Sequence, residues 1–250
     1  MELTHIFLIT MAGWWLGGFV NGIVGFGAAL VAMPLVAIGN DMALAVTSCG
    51  LVVLALNVQM AWNYRSHLDC TGGSALFTGG IPGAVCGVLL LRHVPESGLK
   101  LGLGVLLIAY AFWGLCGTRP QPKRPGTLWG MLAGFFSTSL GTAFGVNGPP
   151  LAVYLSLRGG TQREIKAALG VFFIVSGLFI LVAHGLAGLY TARSFTLFAA
   201  ALPSVMFGAW AGMRVSKGFS DKTFRTALYV MLFVMGLNMV WKATSLLAAT

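Results

Sequence analysis

Apolar residues run along this chain in eight long stretches, roughly 5–38, 42–62, 72–91, 98–116, 129–157, 168–190, 195–213 and 224–246, separated by short polar gaps. A hydrocarbon core about 30 Å thick needs about 20 helical residues to cross it. Six of the stretches have the length of one tilted membrane helix. The other two are too long. Stretch 5–38 would reach about 51 Å as a single helix and 129–157 about 43 Å, at about 1.5 Å per residue.

Both long stretches also carry helix breakers. Gly22, Gly25, Gly27 and Pro34 punctuate the first, and Gly141, Gly145, Gly148, Pro149 and Pro150 the second. Proline removes a backbone donor and clashes with the preceding turn, so a helix does not run unbroken through such sequence. Each long stretch therefore reads as two shorter helices joined by an unwound turn.

The polar connector Thr118-Arg-Pro-Gln-Pro-Lys-Arg-Pro-Gly126 divides the chain near its midpoint, and its three prolines make it a linker. The two sides repeat one another. At an offset of 116, Gly18-Phe19 meets Gly134-Phe135, Gly25 meets Gly141, and Pro34-Leu35 meets Pro150-Leu151; at 121, Pro82 meets Pro203 and Gly87 meets Gly208. The organisation is an N-terminal transmembrane repeat, 1–117, a basic Pro-rich linker, 118–127, and a C-terminal repeat, 128–250. Such duplications are common in secondary transporters.

Positive charges choose the topology. If each long stretch crosses once, the Lys and Arg residues divide six against nine; if each is a hairpin that enters and leaves on one face, they divide eleven against four. The second arrangement obeys the positive-inside bias. It gives three crossings and one broken hairpin per half, an odd number, so the halves are inverted. The expected fold is an all-α polytopic membrane protein of two homologous halves, inverted repeats, with both termini facing outwards.

Composition agrees. The 250 residues are 57% apolar and 8% charged, with a mean hydropathy of +0.87, far from the roughly 25% charge of a soluble domain. The net charge of +9 sits in the gaps between apolar runs, as topology signals do, so no nucleic acid is expected as a partner. Cys49, Cys70, Cys86 and Cys116 form no C-x-x-C pair, and free buried thiols are expected. Residues 1–5 hold no Lys or Arg, so the first stretch reads as mature protein. Trp62, Trp113, Trp129, Trp210 and Trp241 fall near the expected ends of spans, where aromatic belts form.

The chemistry is expected at the two breaks, Asn21–Pro34 and Ser137–Pro150. Unwound backbone within a membrane is tolerated only where protein buries it or a wet cavity meets it. Two such places at matched positions point to a shared central site. A helix starting after each break offers unpaired N–H groups and the positive end of its dipole, which together bind anions without a buried cation. The substrate-binding candidates are Asn21, Gly22, Gly25, Gly27, Ser139, Gly141, Thr142, Asn147, Gly148 and Pro149, with Ser137 as a further neutral donor. Close packing of helices is the alternative role for any single glycine.

These motifs resemble the TauE/SafE sulfite-exporter family. Gly22-x-x-Gly25-x-Gly27-x6-Pro34 is similar to that family's N-half signature, and Gly145-Val-Asn-Gly-Pro-Pro-Leu-Ala-Val-Tyr-Leu-Ser-Leu-Arg-Gly159 to the second-repeat signature of one bacterial branch. The resemblance covers nearly the whole chain. It implies export, or sometimes uptake, of small sulfur-containing or organic anions across the bacterial inner membrane.

Outside the breaks, Thr47 and Ser48 sit two turns into the second stretch, facing either a cavity or their own helix backbone. Asn57, Gln59 and Asn63 read as contacts between helices. His184 is the one candidate for a titrating group inside an apolar run, with a structural role as the alternative. Arg158 and Lys166 flank the second break as accessory cations. No Asp or Glu lies well inside an apolar run, so a carboxylate proton relay has no carrier. None is needed for export: at about 100 mV, inside negative, a monovalent anion gains about 2.3 kcal/mol on leaving.

The function expected is secondary transport of a small anion such as sulfite or an organosulfonate by alternating access, with no cofactor and no metal. The partners are that anion and membrane lipids, and a homodimer is left open. An intramembrane enzyme is disfavoured because no G-x-S-x-G, H-E-x-x-H or histidine cluster occurs. A non-transporting membrane assembly protein and an uptake permease are the alternatives.

Overall fold

The computed structural model describes residues 3–24, 27–64, 73–116, 125–158, 162–215 and 221–248. Among them the chain is all-helical. Ten helices follow in order: α1 Leu3–Val24, α2 Ala28–Gly39, α3 Met42–Tyr64, α4 Gly73–His93, α5 Glu96–Cys116, α6 Thr127–Phe144, α7 Gly148–Arg158, α8 Gln162–Leu186, α9 Ala192–Val215 and α10 Asp221–Ala248. Each long apolar stretch is indeed two helices, α1 with α2 and α6 with α7. The central linker at 118–124 and Cys70 lie outside the described residues.

Five helical windows are long and apolar enough to cross a membrane: Met42–Gln59, Ser74–His93, Glu96–Cys116, Ala167–Leu186 and Ala192–Val215. Large apolar side chains cover the outside, Leu186, Trp241, Trp62, Leu128 and Phe112 among the most exposed. On a water-facing surface that coat would be a severe liability; against lipid it is the expected solvent-facing layer. The chain is a multi-pass membrane protein.

Helix ends are written in local chemistry. Asp41 caps α3, its Oδ1 accepting from the Leu44 N–H at 2.7 Å. Thr191 and Ser194 cap the start of α9 reciprocally: the Ser194 N–H donates to Thr191 Oγ1 and the Thr191 N–H to Ser194 Oγ, both at 3.3 Å. Gly188, at φ 64, closes α8. Pro34 departs from expectation. It stands inside α2 and does not end it; the turn that separates the helices lies upstream, where Gly27 has φ 97.

Glycine lets the helices touch backbone to backbone. In the α1–α9 pair, a Cβ at Gly18 would fall 2.2 Å from the Val205 carbonyl oxygen, and one at Gly208 would fall 2.2 Å from that of Trp15. In the α4–α6 pair, a Cβ at Gly79 would fall 2.0 Å from the Met131 carbonyl oxygen and one at Gly134 2.0 Å from that of Leu76. No side chain fits there. The contact order (Trp15 and Phe19 against Gly208 and Gly212; Met131 and Phe135 against Gly79 and Gly83) makes both pairs parallel. α5 meets α10 at Gly104 and Gly236, each lying against the other's carbonyl oxygen.

Within each broken stretch the second helix folds back on the first. Gly13 of α1 abuts Leu35 of α2 and Gly17 abuts Ala28; Gly130 of α6 faces Tyr154 of α7 and Gly141 faces Asn147. Both are antiparallel hairpins. The core around them includes Trp14, Met33, Val46, Leu103 and Met239, all almost wholly buried.

Candidate binding site at the two helix breaks

The two breaks meet. The first ends at Gly27, held at φ 97, a left-handed conformation that costs a residue with a Cβ about 1–2 kcal/mol. The second begins at Gly145, at φ 73, whose N–H donates to the Gly141 carbonyl at 2.9 Å and so closes α6. A Cβ at Gly145 would also press to 2.9 Å on Cys49 Sγ. Between the breaks lies a cavity of about 20 Å³. One water needs about 10–15 Å³ counted in the same way, so the cavity is little larger than one water.

The cavity has two kinds of wall. Polar groups come from the carboxamides of Asn21 on α1, Asn57 on α3 and Asn147 in the second break, and from backbone at Gly27–Leu30 and Val146–Gly148. Val53, Leu56 and Phe173 close the other side. Asn57 and Asn147 are 6% and 8% exposed. Neither carboxamide has a hydrogen-bond partner among the described residues. Neither is among the fully buried side-chain atoms left without a partner, so both carboxamides reach the open space of the cavity, where a ligand offering acceptors would meet them.

Backbone polarity is sorted at the second break. The Asn147 carbonyl accepts from Ser137 Oγ, the Gly145 carbonyl from Cys49 Sγ at 3.7 Å, and the Thr142 carbonyl lies 3.0 Å from His184 Nε2. Three carbonyl oxygens around the second break, that of the lining residue Asn147 among them, are thereby occupied by donors from α6, α3 and α8. The first amides of α2, those of Ala28, Ala29 and Leu30, have no partner within that helix, as at any helix start. α7 differs: Pro149 and Pro150 in its first turn have no N–H, so Gly148 is its main backbone donor. The two helix starts are unequal, which positional matching of the prolines did not reveal.

The sequence-derived candidates fall into three groups. Asn21, Gly27, Asn147 and Gly148 line the cavity. Gly22, Ser139, Gly141, Thr142 and Pro149 shape its surroundings. Gly22 lies against α9, where a Cβ would stand 2.3 Å from the Ala209 carbonyl oxygen; the Ser139 carbonyl and the Thr142 side chain receive Gly87 of α4; Gly141 makes room for Asn147. Thr142 Oγ1 donates to the Thr138 carbonyl at 2.8 Å, and Pro149 is buried in the first turn of α7.

The third group stands apart from the cavity. Thr47 Oγ1 donates to the Ala43 carbonyl at 2.8 Å and lies 3.0 Å from Ser194 Oγ. Ser48 Oγ donates to the Leu44 carbonyl at 2.8 Å. Arg158 is at the end of α7 opposite Gly148, about 15 Å along the helix. His184 is fully buried and tied to Thr142, with its Nδ1 unpartnered. Gly25 and the Lys166 side chain lie outside the described residues. Asn57 and Phe173 are the additions. For Asn57 the signal was present, a carboxamide inside an apolar run, but it was read as a contact between helices.

The model of the sulfite exporter TauE/SafE family matches residues 10–239. The chain is also 28% identical over 235 residues to a protein of Cupriavidus necator described as a probable sulfite/organosulfonate exporter TauE, covering 92% of this chain and 91% of the relative. No solved structure matches it.

Proposed function

The chain belongs to the sulfite exporter TauE/SafE family, a family of membrane transporters, and on that premise we propose that it is a secondary transporter exporting a small sulfur-containing or organic anion across the bacterial inner membrane. The cavity shared by the two breaks carries this reading. It joins neutral donors from α1, α2, α3 and the second break at one place, with no cation among the described lining residues to hold an anion permanently.

Alternating access about that site has a matching framework. Exchanging α1–α5 for α6–α10 turns the α1–α9 pair into the α6–α4 pair, and both are parallel and glycine-lined. The same exchange maps the α5–α10 and α3–α8 pairs onto themselves. That pattern supports inverted repeats, about whose interface one half rocks against the other. The starts of α3 and α9 share a face through Thr47 and Ser194, and the ends of α4 and α8 share it through Arg92 and the Ala187 carbonyl. Hairpins that return to their face of entry fit this order, with the basic linker cytoplasmic. The membrane potential alone drives export of a monoanion by about 2.3 kcal/mol per 100 mV.

The test is flux in liposomes holding the full-length protein, under an imposed potassium diffusion potential, with sulfite and methanesulfonate as anions. Potential-dependent flux that is lost in Gly148→Leu supports the proposal. No flux of any anion across a broad panel sinks it.

A further inference from the structure

We propose that the site selects by charge state, carrying monoanions and rejecting dianions, so that inorganic sulfite travels as hydrogen sulfite. This rests on the transport reading above and concerns the same cavity. Among the described residues its lining contains no Lys, Arg or His. The compensating charge is that of two helix starts, roughly half an elementary charge each, and the second is weakened by Pro149 and Pro150, which remove two N–H donors. Asn21, Asn57 and Asn147 add donors without adding net charge. The sum is at most about one positive charge. It matches a single negative charge and leaves a dianion with about one charge unpaired, beside Val53, Leu56 and Phe173. An unpaired charge in such surroundings is strongly disfavoured.

The titratable groups facing the second break from neighbouring helices are Cys49 of α3, on the Gly145 carbonyl, and His184 of α8, on the Thr142 carbonyl. A titration of either would change flux of every substrate alike. Titration of the substrate changes only sulfite, which loses its second proton near neutral pH. Methanesulfonate, monoanionic throughout, separates the two.

The experiment measures initial flux of sulfite, methanesulfonate and sulfate into liposomes bearing the full-length protein, at constant potential and total anion, across pH 6 to 9. The expected result is methanesulfonate flux that stays level, sulfite flux under subsaturating conditions that falls about tenfold per unit above its second pKa, and no sulfate flux. Sulfate flux comparable with that of methanesulfonate, or sulfite flux that is level or rises with pH, overturns charge selection while leaving transport intact. A parallel fall for sulfite and methanesulfonate assigns the profile to the protein and overturns it too. Absence of flux for all three removes the transport reading itself and the charge selection with it.

Discussion

His184 Nε2 and the Thr142 carbonyl oxygen, 3.0 Å apart, join the end of α8 to the end of α6 beside the second break. A carbonyl only accepts, so Nε2 carries the proton in this pair. Removing the ring leaves a buried carbonyl without a donor, at a cost of about 1–3 kcal/mol. His184→Ala is expected to lower the unfolding temperature in detergent, and His184→Gln, which keeps a donor, to recover part of it. Wild-type stability in the alanine variant would show that this bond holds nothing together.

Gly148→Leu fills the cavity from the start of α7. Membrane insertion and folded yield are expected to stay near wild type, while anion flux falls by about 10²-fold or more. Size-exclusion profile and flux, measured on one preparation, check both halves of the statement.

At Asn57 the side chain is a cavity donor without a protein partner. Asn57→Leu is expected to weaken apparent substrate affinity about tenfold, equivalent to about 1.4 kcal/mol, with little loss of fold because no protein hydrogen bond is broken. Asn57→Asp places a negative charge against the anion and is expected to abolish flux. If the leucine variant has unchanged affinity, the cavity is not where the anion binds.

Two glycines on the same fold are expected to respond oppositely to alanine. A Cβ at Gly134 meets the Leu76 carbonyl oxygen at 2.0 Å, whereas one at Gly185 meets nothing within 4 Å. Gly134→Ala must force α4 and α6 apart, costing about 1–3 kcal/mol. Gly185→Ala is neutral or gains up to about 1 kcal/mol from helix propensity. Thermal unfolding of the two variants decides it.

Much of this architecture was legible because a membrane leaves few options for a backbone. Stretches of about 20 apolar residues must be helices, and two stretches too long and too rich in glycine to be single spans had to bend. Less legible was which glycine served which purpose. Gly22 and Gly27 are five residues apart in one motif, yet the first admits the α9 backbone and the second turns the chain at φ 97. Thr47 and Ser48 looked like cavity residues because they are polar and mid-run, but their hydroxyls are spent on carbonyls one turn back and, for Thr47, on Ser194. Only packing reveals that. Asn57 is the converse case: it was read as a contact between helices and lines the cavity, and a one-dimensional pattern does not register voids.

Pro149 and Pro150 have one more effect. With no amide hydrogen at either position, a straight continuation of α6 through α7 would forgo two helix bonds and press both rings on the preceding turn. The bend at Gly145 is therefore costly to straighten, which favours movement of α6 and α7 together as one elbow.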